Sequence, residues 1–462
     1  MAGDSFSLKV KRIFRRSAPK TTAPPSPAPA PAFLRIVRTA TLVEKLRQMR
    51  IEKAANKSCL FETLPEQLHR RILSYVPMDS LFNVVLSSSL FYDHFASDTL
   101  HVMADSLQNM LRCSSLDAFT SYKCGFESFR DAREQYCVKM FLEIYRNRQG
   151  VETFALRDRK ITEKDLIEMY KFHVKVIEPL VDQYAAWALR HLEYEADSTD
   201  IGGAISETER VRIIRALYRF EIGCNVCADT SGYWVSPPLT PDEFTVQFFF
   251  NYEAWEVEEM LCVADFVFEK MSKVFDEVEN DLAPGCERIG GSDGSETPVE
   301  AFDLHNDRLF LLPGTISRGL AFVKSTDNKK HDDLVRLMQA KLVSGENFFF
   351  AEGGVYHERM FRTVREITGD LDRYKKQQDR EALPFKGDRN VFTTGPDVPY
   401  AWTSIWKETY SSVFGCKIPR DLRPWGYVMW DAERIKRSRV KDLLEKQWEL
   451  VYWSHDPRDL FC

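Results

Sequence analysis

Two prolines and a serine run cut residues 61–95 into three short apolar segments, and that punctuation limits what this part of the chain can fold into. The first segment runs Phe61-Glu62-Thr63-Leu64-Pro65-Glu66-Gln67-Leu68 and on through Arg71-Ile72-Leu73-Ser74-Tyr75-Val76 to Pro77. Leu68 and Ile72 stand at i, i+4 and share a helix face. Thr63 and Glu66 have capping-box spacing, and Pro65 is expected in the first turn, where its missing N–H costs nothing. Pro77 is expected to stop this helix and Asp79 to cap the next, which carries Leu81, Val84 and Val85. After Ser87-Ser88-Ser89 a third helix carries Leu90, Phe91 and Phe95. Three helices this short bury only part of their apolar surface among themselves. The remainder needs a partner or the rest of the chain. The plainer reading is three ordinary helices at the edge of a larger α-helical domain.

The rest of the sequence is also helical in pattern. Residues 33–57 read as a helix with Leu42, Leu46 and Met49 at i, i+4, i+7. Tyr170, Val174, Ile177, Val181, Tyr184 and Ala188 form a 3.6-residue stripe, which Pro179 is expected to kink. Ser206 and Glu209 predict a capping box ahead of a core face of Val211, Ile214, Leu217 and Tyr218. Thr240-Pro241-Asp242-Glu243 predicts another helix start, and Trp255–Val278 a long amphipathic helix. Helices are expected again near His331–Val343, Met360–Ile367, Ala401–Tyr410 and Ala432–Leu450. No repeat period is present, which argues against propellers and leucine-rich arrays. The fold expected is mainly α.

Charge divides the chain. Residues 1–57 hold 13 basic and 3 acidic residues, a net +10, leaving 50 basic and 66 acidic residues, or −16, beyond them. An acidic body disfavours nucleic acid, whose phosphates it repels. The arm starts with Lys9, Lys11, Arg12, Arg15 and Arg16 and continues Pro- and Ala-rich, so it is expected to be extended or disordered. It reads as a nuclear import signal, a mitochondrial presequence or a solvated tail. No window approaches the roughly 18 apolar residues of a membrane span. Ten scattered cysteines point to reduced thiols, and so to cytoplasm or nucleus.

The Leu-Pro opening, the Ile-Leu pair that follows and the second proline resemble the F-box, the module that attaches proteins to the Skp-family adaptor of cullin-based ubiquitin ligases. By that resemblance, the adaptor-binding residues are Leu64, Pro65, Leu68, Ile72, Leu73 and Val76, then Leu81 and Val84. The third helix departs from the family: Ser88-Ser89-Leu90-Phe91-Tyr92 stands where many members carry a basic residue and a tryptophan. Two further segments, Arg215–Asn225 and Trp425–Ile435, look like segments of filamentous-fungal F-box proteins. The resemblance implies a substrate receptor that links an unknown target protein to the adaptor and, through it, to cullin. It implies no catalytic residue, no cofactor, no metal and no membrane or nucleic-acid partner. The alternatives are an F-box scaffold acting outside ubiquitination, and an enzyme with a site in 300–360.

Other candidates are weaker. Cys224-Asn225-Val226-Cys227 has metal-like spacing but no second ligand pair, so core packing is the reading preferred over zinc or redox chemistry. His305 with Asp307, and Glu352 with His357 and Glu358, lack a nucleophile motif. Gly353-Gly354 lacks a phosphate-loop context. Phe248-Phe249-Phe250, Phe348-Phe349-Phe350, Trp402/Trp406 and Trp425/Tyr427/Trp430 read as core or as a target groove. The organisation expected is a disordered basic arm (1–32), a linker helix (33–57), an F-box (58–105) and a helical target-recognition domain (106–462) with a surface loop at 284–300.

Overall fold

The computed structural model describes residues 63–126, 129, 135–149, 154–197, 201, 203–227, 238–282, 307–345, 347–350, 399–405, 420–438 and 440–444. The arm (1–32), the linker helix (33–57), the loop 284–300 and the expected helix Met360–Ile367 lie outside them. Among the described residues there are helices and turns and no strand, so the chain is mainly α. In chain order the helices are α1 (Glu66–Tyr75), α2 (Met78–Ser87), α3 (Ser89–Ser97), α4 (Thr99–Leu111), α5 (Ser115–Cys124), α6 (Gln135–Gln149), α7 (Glu163–Phe172) and α8 (Glu178–Glu195). There follow α9 (Glu207–Cys227), α10 (Pro241–Gln247), α11 (Ala254–Val278), α12 (Arg308–Ile316), α13 (Leu320–Ser325), α14 (His331–Lys341), α15 (Tyr400–Ile405) and α16 (Ala432–Arg437). The described residues form two compact units, one of 63–115 with 154–171, the other of the remainder from Leu116 onward.

In the first unit the prolines punctuate as expected, but the caps differ. Pro65 is itself the residue preceding α1, in polyproline geometry (φ −58°, ψ 146°), and its carbonyl accepts from Leu68 and His69. Helix α1 therefore begins at Glu66, and the residue at its N-cap has no side-chain acceptor to offer. Pro77 does the same for α2 (φ −53°, ψ 143°), which places Asp79 in the first turn rather than at the cap. There its carboxylate still favours the positive end of the helix dipole. Ser88 caps α3, accepting from the Leu90 N–H. Leu73, Leu81, Val85, Phe91 and Phe95 form the inner core of α1–α3, and Val102, Met103, Leu107 and Leu111 of α4 are buried with them. Helix α4 also completes α1: Ser106 Oγ donates to the Val76 carbonyl at 2.7 Å and Asn109 Nδ2 to the Ser74 carbonyl at 2.8 Å. Those carbonyls at the end of α1 would otherwise have no partner within the helix. The Gln108 side-chain amide brackets residues 154–156, donating to the Phe154 carbonyl and accepting from the Leu156 N–H, both at 3.0 Å.

In the second unit α11 is the central helix, with α8, α9, α12 and α14 packed on it. The expected amphipathic pattern gives way to burial on nearly every side, Glu258 and Glu259 included. Both expected capping boxes at the starts of α9 and α10 form: Ser206 with Glu209 and Thr240 with Glu243. The bend expected at Pro179 is present as a π-helical turn, His173–Ile177, just before α8. Proline removes a donor and crowds the carbonyl four residues back, and the wider turn absorbs both. The extra residue rotates the stripe. Ile177, Val181, Tyr184 and Ala188 are buried, but Val174 is 39 % exposed, against expectation. Helix α14 ends at Lys341, and α16 stops at Arg437, where Ser438 turns extended. No described helix is long and apolar enough to cross a membrane.

Candidate functional site

Helix α1 presents a wide apolar arc. One edge, His69, Leu73 and Val76, points into the first unit; the adjacent edge, Leu68, Ile72 and Tyr75, runs i, i+4, i+7 toward its surface. Of the eight residues singled out, Pro65 and Leu68 are exposed, Leu68 by 43 %. Leu64, Ile72, Val76 and Val84 are half-buried. Leu73 and Leu81 are fully interior and hold the module together. Tyr75, which the sequence pattern did not single out, is 63 % exposed at the end of the same stripe. An exposed aromatic next to exposed leucine is the composition of an interface anchor. Beneath the stripe, His69 is buried, edge-on to Phe91 (5.5 Å) and stacked on His94 (5.1 Å).

The two segments Arg215–Asn225 and Trp425–Ile435 prove to be parts of one buried polar assembly in the second unit. Arg215 meets Glu259 through a two-pronged pair at 2.6 and 3.1 Å. Arg219 bridges Asp117 (3.1 Å) and Glu256 (2.8 Å) and lies 4.5 Å over the Tyr252 ring. Arg423 grips Glu258 (3.0 and 3.1 Å), which also accepts from the Tyr427 hydroxyl at 3.0 Å. Arg212 reaches Asp431 at 2.8 Å, and Arg434 pairs with Glu209 at 2.7 Å. Burial alone would lower the Arg219 and Arg423 pKa values, but the facing carboxylates overcome it and hold both well above the ordinary arginine value. Burial likewise pushes Glu256 upward, and Arg219 and Arg215 more than reverse it. Every group in the assembly has a charged or hydroxyl partner, so it reads as a framework rather than as acid-base machinery waiting for a substrate.

The other candidates resolve mostly into core. Cys224 is buried, with its sulfur 3.9 Å from both the Ile316 carbonyl and Asn347 Nδ2. No group of three or more metal-ligating side chains occurs among the described residues. The two phenylalanine triplets meet: Phe244 lies 4.9 Å from Phe248 and 5.3 Å from Phe348, and Phe349 lies 4.8 Å from Phe220. Phe248, Phe249, Phe348 and Phe349 are buried, as are Trp402, Trp425, Tyr427 and Trp430; Phe250 and Phe350 are half-buried. Asp307 stands at the N-cap position of α12. His305, Glu352, Gly353, Gly354, His357, Glu358 and Trp406 lie outside the described residues.

One feature had no signal in the sequence motifs. A cavity of about 350 Å³ opens on the second unit between Trp187 of α8, residues 266–274 of α11 and the turn Thr326–Asn328. Its contributors come from three separate parts of the chain, and only a tryptophan spaced from a lysine-rich helix marks them in advance. The chain matches no family model, no curated protein and no solved structure.

Proposed function

We propose that the chain is a substrate receptor of a Skp–cullin–F-box ubiquitin ligase. Its first unit would dock on the Skp-family adaptor, and its second would hold a target protein. The observation that supports this most is the α1 stripe, which leaves Leu68 and Tyr75 in solvent while Leu73 and Leu81 fix the helix from behind. Fully burying each exposed side chain against a partner is worth about 1.5–3 kcal/mol. The receptor would act by proximity alone, raising the target's effective concentration beside the charged conjugating enzyme.

The test is a pull-down of purified Skp-family adaptor by the full chain. Leu68→Asp, and the pair Leu64→Ala with Pro65→Ala, are expected to abolish capture while leaving the circular dichroism and melting profile unchanged. Capture that persists in both variants overturns the docking assignment. Target turnover that depends on this chain but not on cullin would favour the scaffold reading instead.

A further inference from the structure

The cavity on the second unit has an apolar floor and a cationic rim. Phe266 is buried at its base, with the Trp187 ring 5.4 Å away at 54°. Trp187 is not free to swing, because its indole N–H donates to Glu269 at 3.0 Å. Val274 closes the floor on α11. The far wall is equally fixed. Asp327 accepts from Lys270, from Lys324 at 2.6 Å and from Gln183 at 2.7 Å, and Asn328 holds the turn in the left-handed region at φ +55°. A pocket whose polar walls are already paired needs little reordering to receive a ligand.

Charge decides the ligand class. Lys270, Lys273 and Lys324 face only Glu269 and Asp327, one positive charge in excess, and the exposed Lys329 and Lys330 follow Asn328 in the chain. The nearest other carboxylates on α11 are engaged elsewhere: Asp276 by Arg308 at 2.7 Å and Glu277 by His331 at 3.4 Å. His191 adds an imidazole 3.7 Å from Glu269. This is a basic spot on a body that carries −16 beyond residue 57. Lys273 is 69 % exposed and pairs with Glu269 as a surface i, i+4 pair. Such pairs are worth about 0.3–0.5 kcal/mol, so its ammonium is readily turned to an incoming carboxylate. The volume is at the lower end of ligand pockets and suits one large side chain rather than a cofactor.

We infer that this cavity takes a phenylalanine- or leucine-sized side chain from an acidic segment of a partner protein, the side chain on the Trp187–Phe266 floor and its flanking carboxylates on the lysine rim. The role of that partner as a ligase target rests on the reading above; the binding event does not.

The experiment uses the full chain and fluorescein-labelled peptides read by polarisation. One peptide carries a phenylalanine flanked by aspartates and glutamates, the second has alanine for phenylalanine, and the third keeps phenylalanine but is flanked by lysines. The first is expected to bind, more weakly as salt rises, and the other two at least about tenfold less well. Lys273→Glu is expected to lower affinity about tenfold and Val274→Trp, which fills the floor, to remove binding. Both variants should keep the wild-type melting profile and adaptor capture. Absence of binding by the acidic phenylalanine peptide at about 1 mM, equal binding of the lysine-flanked peptide, or indifference to both variants overturns the inference. Leu68→Asp should leave peptide binding intact, so a failure here and a failure of adaptor docking are separately visible.

Discussion

Arg215 and Glu259 form a two-pronged ion pair in the interior between α9 and α11, the carboxylate fully shielded from solvent and the guanidinium nearly so. Buried pairs of this kind contribute little net stability, because desolvation offsets the attraction, but breaking one strands a charge. Arg215→Met is therefore expected to destabilise the second unit by about 3–5 kcal/mol. The double variant Arg215→Met with Glu259→Met should recover most of that loss. Denaturant unfolding followed by tryptophan fluorescence measures both, and a double variant no better than the single would contradict the stranded-charge account.

His173 gives the second unit an acid sensitivity. It is buried against Tyr218 (3.1 Å) and Glu178 (3.0 Å), and burial, with Arg210 nearby, lowers its pKa from 6.5 to about 4. The unfolded chain takes up this proton first, so stability is full above pH 6.5 and falls as pH drops toward 4. The total is on the order of 3 kcal/mol. The carboxylates held below their ordinary values, Glu209 and Glu256 among them, titrate below this range in the fold and lose their contribution at lower pH. The melting temperature of wild type should thus fall between pH 6.5 and 4.5, and that of His173→Gln should change less.

Gly314 is held against the backbone of Val343–Gly345; a Cβ there would come within 2.4 Å of the Val343 carbonyl and 2.5 Å of the Gly345 nitrogen. Backbone cannot step aside as a side chain can. Gly314→Ala is expected to lower stability by at least about 2 kcal/mol, despite alanine's better helix propensity. A neutral or stabilising result in the same unfolding assay would show that α12 can shift.

Leu68 and Leu73, five residues apart on one helix, should separate docking from folding. Leu73→Ala is expected to cost about 2–5 kcal/mol through the cavity it leaves. Leu68→Ala should stay within about 0.5 kcal/mol. Limited proteolysis of the first unit reports the difference.

Helix positions were legible where local chemistry announces them. The Ser206 and Thr240 capping boxes and the breaks at Pro65 and Pro77 are short-range events within four residues of chain. The π-helical turn was not legible, since a 3.6-residue count carried through 173–177 places Val174 inside. Nor was the polar interior. Arg212, Arg215 and Arg219 recur at i, i+3, i+7 and look like a solvated face. Only the distant Glu256, Glu259 and Asp431 make that face a buried one. On α1 the pattern supplied an apolar arc but not which edge of it turns inward, so interior Leu73 and exposed Leu68 carried the same signal. The cavity, assembled from three remote stretches, had no local signature at all.

The pairing of Glu258 with Arg423 and Tyr427 also sets the order in which the second unit can be completed. The arginine lies 165 residues later in the chain, on the order of ten to thirty seconds of translation at about 5–20 residues per second. Until it emerges, the Glu258 carboxylate is stabilised only by water, and α11 cannot close over it without stranding the charge. The middle of the chain is therefore kept open during synthesis and locked by its last third.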